Sequence, residues 1–113
     1  MSTITTHILD ISVGRPASDV SVVLEVQIDR EWKQVGSAVT DGDGRIRNFL
    51  TDDASFEEGI YRLTFDTGSY FAANSVESFY PQVSVAFAIS DASQHYHVPL
   101  LLSPFGYSTY RGS

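Results

Sequence analysis

Three histidines, His7, His95 and His97, are the side chains of this sequence best suited to moving protons near neutral pH. His95 and His97 are separated by one residue, so on a strand both project from the same face. His7 lies in a different run, Thr5–Ile11, where alternation puts it on the face of Leu9. A solitary histidine on a strand is usually no more than a polar surface residue. Three on two strands admit two chemistries. Three imidazoles and a water can bind zinc, as in catalytic zinc sites. Alternatively, a neutral imidazole can take a proton from water with no metal present. Spacing alone leaves both open. Arg45 follows the glycine turn Asp41-Gly-Asp-Gly44, and Arg47 lies two residues on. A guanidinium there can grip an anion or polarise a carbonyl, although a hairpin arginine can equally be a solvated charge. The turn lacks the third Asp and the distal Glu of an EF-hand loop, which excludes calcium binding of that kind. Ser108, Thr109 and Ser113 offer hydroxyls. The sequence has no Gly-x-Ser-x-Gly elbow and no Asp placed behind a histidine, so a covalent serine mechanism is not expected.

The elements that must position these groups are strands. Val20, Val22, Leu24, Val26 and Ile28 alternate with mostly polar neighbours, as do Tyr61, Leu63 and Phe65. Val83, Val85, Phe87 and Ile89 alternate with serines and alanines. A period of two marks strands with one face buried. Shorter runs at Thr5–Ile11, Trp32–Thr40 and Tyr96–Leu102 suit strands as well. Gly14-Arg-Pro16, Asp41-Gly-Asp-Gly44, Glu57-Glu-Gly59 and Ser103-Pro104 supply turns at the intervals of an all-β sandwich or barrel. Ser69–Asn74, with Ser69 as its cap, predicts one short helix. Phe49, Phe56, Tyr61, Phe65, Tyr70, Phe71, Phe79, Tyr80 and Phe87 are mostly core by default, and Trp32 belongs near a strand end or edge.

A chain of 113 residues predicts a single domain spanning 1–113, large enough for one core. It contains no cysteine, so thiol catalysis, zinc–thiolate sites and disulfides are excluded, and no oxidising compartment is needed. The net charge of −7 disfavours nucleic acid as a partner. The N-terminus has no basic n-region, and no run approaches the ~20 apolar residues of a membrane span. A cytoplasmic protein with no membrane association is the expectation. The last twenty residues, Gln94–Ser113, are too rich in apolar and functional groups to dangle. They are expected to dock as a strand and to bring chemistry with them.

Tyr107-Ser-Thr-Tyr-Arg-Gly-Ser113, together with His95-Tyr-His-Val-Pro-Leu-Leu-Leu-Ser-Pro104, resembles the signature of the 5-hydroxyisourate hydrolases, transthyretin-related enzymes of urate breakdown. Thr6-His-Ile-Leu-Asp10, Gly14-Arg-Pro-Ala17, Thr40-Asp-Gly-Asp-Gly-Arg45, Phe65-Asp-Thr-Gly-Ser-Tyr-Phe71 and Glu77-Ser-Phe-Tyr-Pro81 extend the resemblance over nearly the whole chain. Transthyretin shares the Leu-Leu-Ser-Pro and Tyr-Ser-Thr elements but not the histidines, the arginine or the ending. The resemblance implies a transthyretin-like sandwich of two antiparallel four-stranded sheets with one short helix. It also implies a homotetramer, a dimer of dimers, with sites in a channel between dimers. It places His7, Arg45, His97 and Ser113 in catalysis and His7, Arg45 and Tyr110 on the substrate, with no metal and no cofactor. His97 is the second histidine of its pair, and the resemblance leaves the role of His95 open. Two other functions are weighed against this one. A carrier of an apolar ligand is disfavoured by a channel lined with His, Arg and Tyr. A non-catalytic interaction domain is what any sandwich would be without these motifs.

Overall fold

The computed structural model describes residues 3–49 and 56–113. Among the described residues, nine strands and one helix follow in the order β1 (Thr3–Asp10), β2 (Arg15–Pro16), β3 (Ser21–Ile28), β4 (Glu31–Val39), β5 (Arg45–Ile46), β6 (Gly59–Phe65), α1 (Thr67–Ala73), β7 (Val83–Ile89), β8 (His95–Ser103) and β9 (Gly106–Thr109). They form two sheets. One runs β4-β3-β6-β7; the other runs β2-β1-β8-β9, with β5 pairing on β1. The expected sandwich with one short helix is what the chain forms.

Alternation decides which residues the layers bury. On β1, Ile4, Thr6, Ile8 and Asp10 are buried, whereas Thr3, Thr5, His7 and Leu9 face outward. On β8, Tyr96, Val98, Leu100 and Leu102 turn inward, leaving His95 and His97 outside. Val22, Leu24, Leu63, Phe65, Val83 and Ile89 meet them from the other sheet and complete one core. Removal of this apolar surface from water is the main force holding the layers together.

Four details depart from the sequence reading. First, β1 and β8 pair in parallel, with Thr5 beside His97 and His7 beside Pro99. The other strand pairs are antiparallel. No hairpin joins β1 to β8. The chain passes through the opposite sheet before returning, and such a crossover permits parallel entry. The two-residue β5 makes this sheet five-stranded rather than four-stranded. Second, α1 begins at Thr67, and its cap is Asp66, whose carboxylate accepts from Ser69 N. Ser69 lies within the first turn, and Asn74 ends the helix as anticipated. A carboxylate is as good an N-cap as a hydroxyl. Third, Phe79 and Tyr80 are exposed, not core. Their rings pack edge-on at 4.9 Å, and Tyr80 meets Tyr107 at 5.3 Å. Fourth, the tail is a hairpin rather than one strand: β8 turns at Pro104-Phe105 into β9. Trp32 stands second on the edge strand β4, covered by the Arg62 guanidinium at 4.2 Å.

Candidate active site

Arg45 is delivered by a turn whose geometry one carboxylate fixes. Gly44 N donates to Asp41 O at 2.9 Å, and Asp41 N donates to Arg45 O at 3.0 Å. The Asp41 side chain accepts from Asp43 N at 2.9 Å and from Arg45 N at 3.0 Å. Its second oxygen holds Arg47 at 3.2 Å. These backbone hydrogen bonds, that from Arg45 first, together with the arginine charges, keep the Asp41 carboxyl below its ordinary 3.8. Gly44 is obligatory here. Its φ is +73°, and an added Cβ would lie 2.5 Å from the Ile8 carbonyl oxygen. That close approach lets Ile8 N donate to Gly44 O at 2.8 Å and sets Arg45 directly across from His7. Arg45 and Arg47 both border the site, but they differ: the first is half-buried, whereas the second is exposed and is held by the Asp41 carboxylate of the turn.

The parallel β1–β8 pairing supplies the imidazoles. Thr3 lies beside His95 and Thr5 beside His97. Neighbouring strand residues in register project on the same side, so Thr5, His7, Arg45, His95 and His97 share one outer face. The Thr5 hydroxyl is 2.8 Å from His97 Nδ1 and 3.0 Å from His95 Nε2. Thr3 Oγ1 contacts His95 Nδ1. The two rings lie 6.4 Å apart and nearly parallel, at 14°. Burial of the His97 ring, reinforced by the charges of His95, Arg45 and His7, pushes its pKa below the ordinary 6.5. A ring shifted in this direction is mostly uncharged at neutral pH, the form in which an imidazole can accept a proton.

The C-terminal segment closes the arrangement. After β9 the chain turns back along β8, and Gly112 N donates to His97 O at 2.8 Å. A Cβ on Gly112 would stand 2.6 Å from His97 Cδ2 and 3.2 Å from Pro99, so only glycine brings the backbone this close. Arg111 fastens the same stretch outside the site. It donates to Gln94 Oε1 at 2.9 Å and covers the Tyr96 ring at 4.4 Å. Ser113 is thereby carried to a small open pocket of about 170 Å³, lined by Thr5, Thr6, Arg45, Ile46, Arg47, His95, His97 and Ser113.

Of the residues singled out in the sequence, His97, Arg45 and Ser113 meet at this pocket, and His95 joins them. His7 stands next to Arg45 on the same face but outside the pocket lining. Tyr110 is not brought to it within one chain. It is 58% exposed and lines a separate cavity of about 320 Å³ with Phe87, Tyr96 and Arg111, reached from β7 and the tail. Among the described residues, no group of three or more His, Asp or Glu is arranged to hold a metal ion. Sequence reasoning passed over Thr5. Its signal was present in the alternation Thr3, Thr5, His7, but a strand threonine carries no chemical mark of its own. The site assembles a neutral base, a fixed cation and hydroxyl groups on an acidic protein's sheet face. That set can activate water and stabilise an oxyanion.

The HIUase/Transthyretin family profile matches residues 4–112. A 5-hydroxyisourate hydrolase of Salmonella dublin is 50% identical over 107 residues, covering 95% of this chain and 78% of that protein. The solved 5-hydroxyisourate hydrolase of Klebsiella pneumoniae superposes with a TM-score of 0.86 at 41% identity, covering 98% of this chain and 99% of the other. Sea bream transthyretin, solved in complex with thyroxine, superposes with a TM-score of 0.90 at 34% identity, covering 97% and 94%. One backbone therefore serves both a hydrolase and a thyroxine-binding protein, and the side chains on the site face must decide between them.

Proposed function

Because this chain belongs to the HIUase/Transthyretin family, we propose that the pocket shared by His97, Arg45 and Ser113 is where it hydrolyses 5-hydroxyisourate. The protein is a 5-hydroxyisourate hydrolase of urate degradation. It opens the six-membered ring by attack of water on the C6 carbonyl, breaks the N1–C6 bond and yields 2-oxo-4-hydroxy-4-carboxy-5-ureidoimidazoline. The observation that carries the assignment of the site is the convergence of a half-buried imidazole of lowered pKa and an arginine on one small pocket.

In this reading His97 takes a proton from the attacking water as the C6–O bond forms. Electron density moves to the carbonyl oxygen, where Arg45 meets the developing negative charge. A guanidinium stays protonated throughout, so it serves as a fixed electrostatic donor. Collapse of the tetrahedral intermediate restores the carbonyl and breaks C6–N1. The leaving nitrogen takes the proton drawn from water, with His7 passing or positioning it from the neighbouring strand. Ser113 hydrogen-bonds the ring edge.

We further propose that the working unit is a homotetramer, a dimer of dimers. The pocket opens on a sheet face rather than in an enclosed cleft, so a second copy laid over it would exclude water and bring Tyr110 onto the substrate. Exposed Ile11, Val13, Phe79, Phe105, Tyr107 and Tyr110 support such association. The cytoplasm is the proposed location. No described helix is long and apolar enough to cross a membrane, and a cysteine-free chain has no need of an oxidising compartment. Supplying substrate freshly made from urate with urate oxidase, and following its absorbance, tests the site. His97→Asn is expected to slow decay by about 10²–10⁴-fold; decay as fast as with the unaltered protein would remove His97 from the mechanism.

A further inference from the structure

The Thr5 hydroxyl stands between two imidazoles, 2.8 Å from His97 Nδ1 and 3.0 Å from His95 Nε2. One hydroxyl has a single proton to give, so it donates to one ring and accepts from the other. Thr3 contacts the far nitrogen of His95, and the row Thr3–His95–Thr5–His97 is continuous. It permits two polarities. In the first, His97 Nδ1–H donates to Thr5, Thr5 donates to His95 Nε2, and His95 Nδ1–H donates to Thr3. His97 Nε2 then carries a free lone pair. In the second, every bond reverses and His97 Nε2 carries the proton, which makes it useless as a base. Nδ1 is engaged by Thr5, so Nε2 is the nitrogen left for the pocket that Arg45 also lines. A nearby guanidinium favours a lone pair over an N–H dipole on that edge.

We propose that Thr5 is a positioning residue that holds His97 as the Nδ1–H tautomer, with His95 as the acceptor that orients the Thr5 hydroxyl. This rests on the reading of His97 as the base, and it gives His95 a task that does not require contact with substrate. It also explains why two histidines recur at a spacing of two on β8 while only His97 is half-buried. The charges that bear on His97 are His95 on its own strand, His7 on β1 and Arg45 on β5, and Arg47 and the C-terminal Ser113 line the same pocket. Thr5→Val removes the hydroxyl without adding charge, so its effect is separable from theirs.

The experiment compares the unaltered protein with Thr5→Val, Thr5→Ser and His95→Phe. Its readouts are kcat and KM on 5-hydroxyisourate and the ¹⁵N shifts of the His97 ring, assigned by difference with His97→Asn. Thr5→Val is expected to lower kcat about 10- to 100-fold with KM little changed, as loss of an orienting partner does, and to let His97 populate the Nε2–H form. Thr5→Ser is expected to restore both kcat and tautomer, and His95→Phe to lower kcat in the same direction by less. Unchanged kcat in Thr5→Val, a His97 tautomer indifferent to that substitution, or an Nε2–H resting form in the unaltered protein would each overturn the proposal. Absence of turnover in the unaltered protein would instead overturn the assigned reaction, while the ring shifts would still test the hydrogen-bonded row.

Discussion

At the scale of single residues, the site depends on where charge is absent as much as on where it is present. His97 is pushed below its ordinary 6.5 chiefly by burial and then by neighbouring positive charge. Protonation disables a base, so kcat/KM is expected to fall as pH drops, with its acid limb centred below 6.5. A limb centred above that value would show another group in control. Arg45→Leu is expected to reduce kcat about 10²–10³-fold, measured by the same absorbance decay, because the oxyanion loses its fixed cation. Gly112→Ala tests the tail with one methyl. The added carbon would fall 2.6 Å from the His97 ring, so the tail must move off and Ser113 with it. A large loss of kcat with an unchanged circular dichroism spectrum is expected. These roles were unevenly legible. The imidazoles and Arg45 announced themselves by chemistry, and the histidine spacing gave their shared face. Thr5 and Gly112 did not, because a hydroxyl on a strand and a glycine near a chain end act only through what packs against them. Tyr110 shows the converse: its type fits substrate binding, yet one chain leaves it at a different cavity.

At the scale of elements, alternation specifies a face but neither a partner nor a direction. Alternation therefore defines β7 to the residue, Val83–Ile89, yet carries no mark of the parallel alignment of β1 with β8. That alignment is what brings Thr5 beside His97, so the part of the fold least visible in the sequence is the part that builds the site. The Asp41–Gly44 turn was visible, and its energetics can be tested. Gly44→Ala forces a side chain into positive φ against the Ile8 carbonyl, and a loss of about 1–3 kcal/mol is expected in denaturant unfolding. Asp41 has a folded pKa below its ordinary 3.8, so its stabilisation is fully present above that value and fades as pH falls through the lower folded value. Asp41→Ala is accordingly expected to lower Tm near neutral pH. The difference from the unaltered protein should disappear in acid below 3.8.

At the scale of the whole molecule, the sandwich is a rigid support on which an outer face carries the chemistry. The same layers underlie a thyroxine-bound transthyretin, so the backbone alone does not determine the task. We propose that residues 1–113 behave as one domain, which predicts a single cooperative unfolding transition by calorimetry. We expect sedimentation to give four copies per particle. A monomer that turns over at full rate would show that the interface has no part in catalysis. We propose that two imidazoles, one guanidinium and the C-terminal segment act together on one cyclic substrate. The most direct measurement is the decay of freshly generated 5-hydroxyisourate with the purified protein and with a form lacking Tyr110–Ser113. Rapid decay is expected with the intact chain, and decay at the buffer rate with the shortened, still folded one. Equal rates for the two, or no acceleration by either, would contradict it.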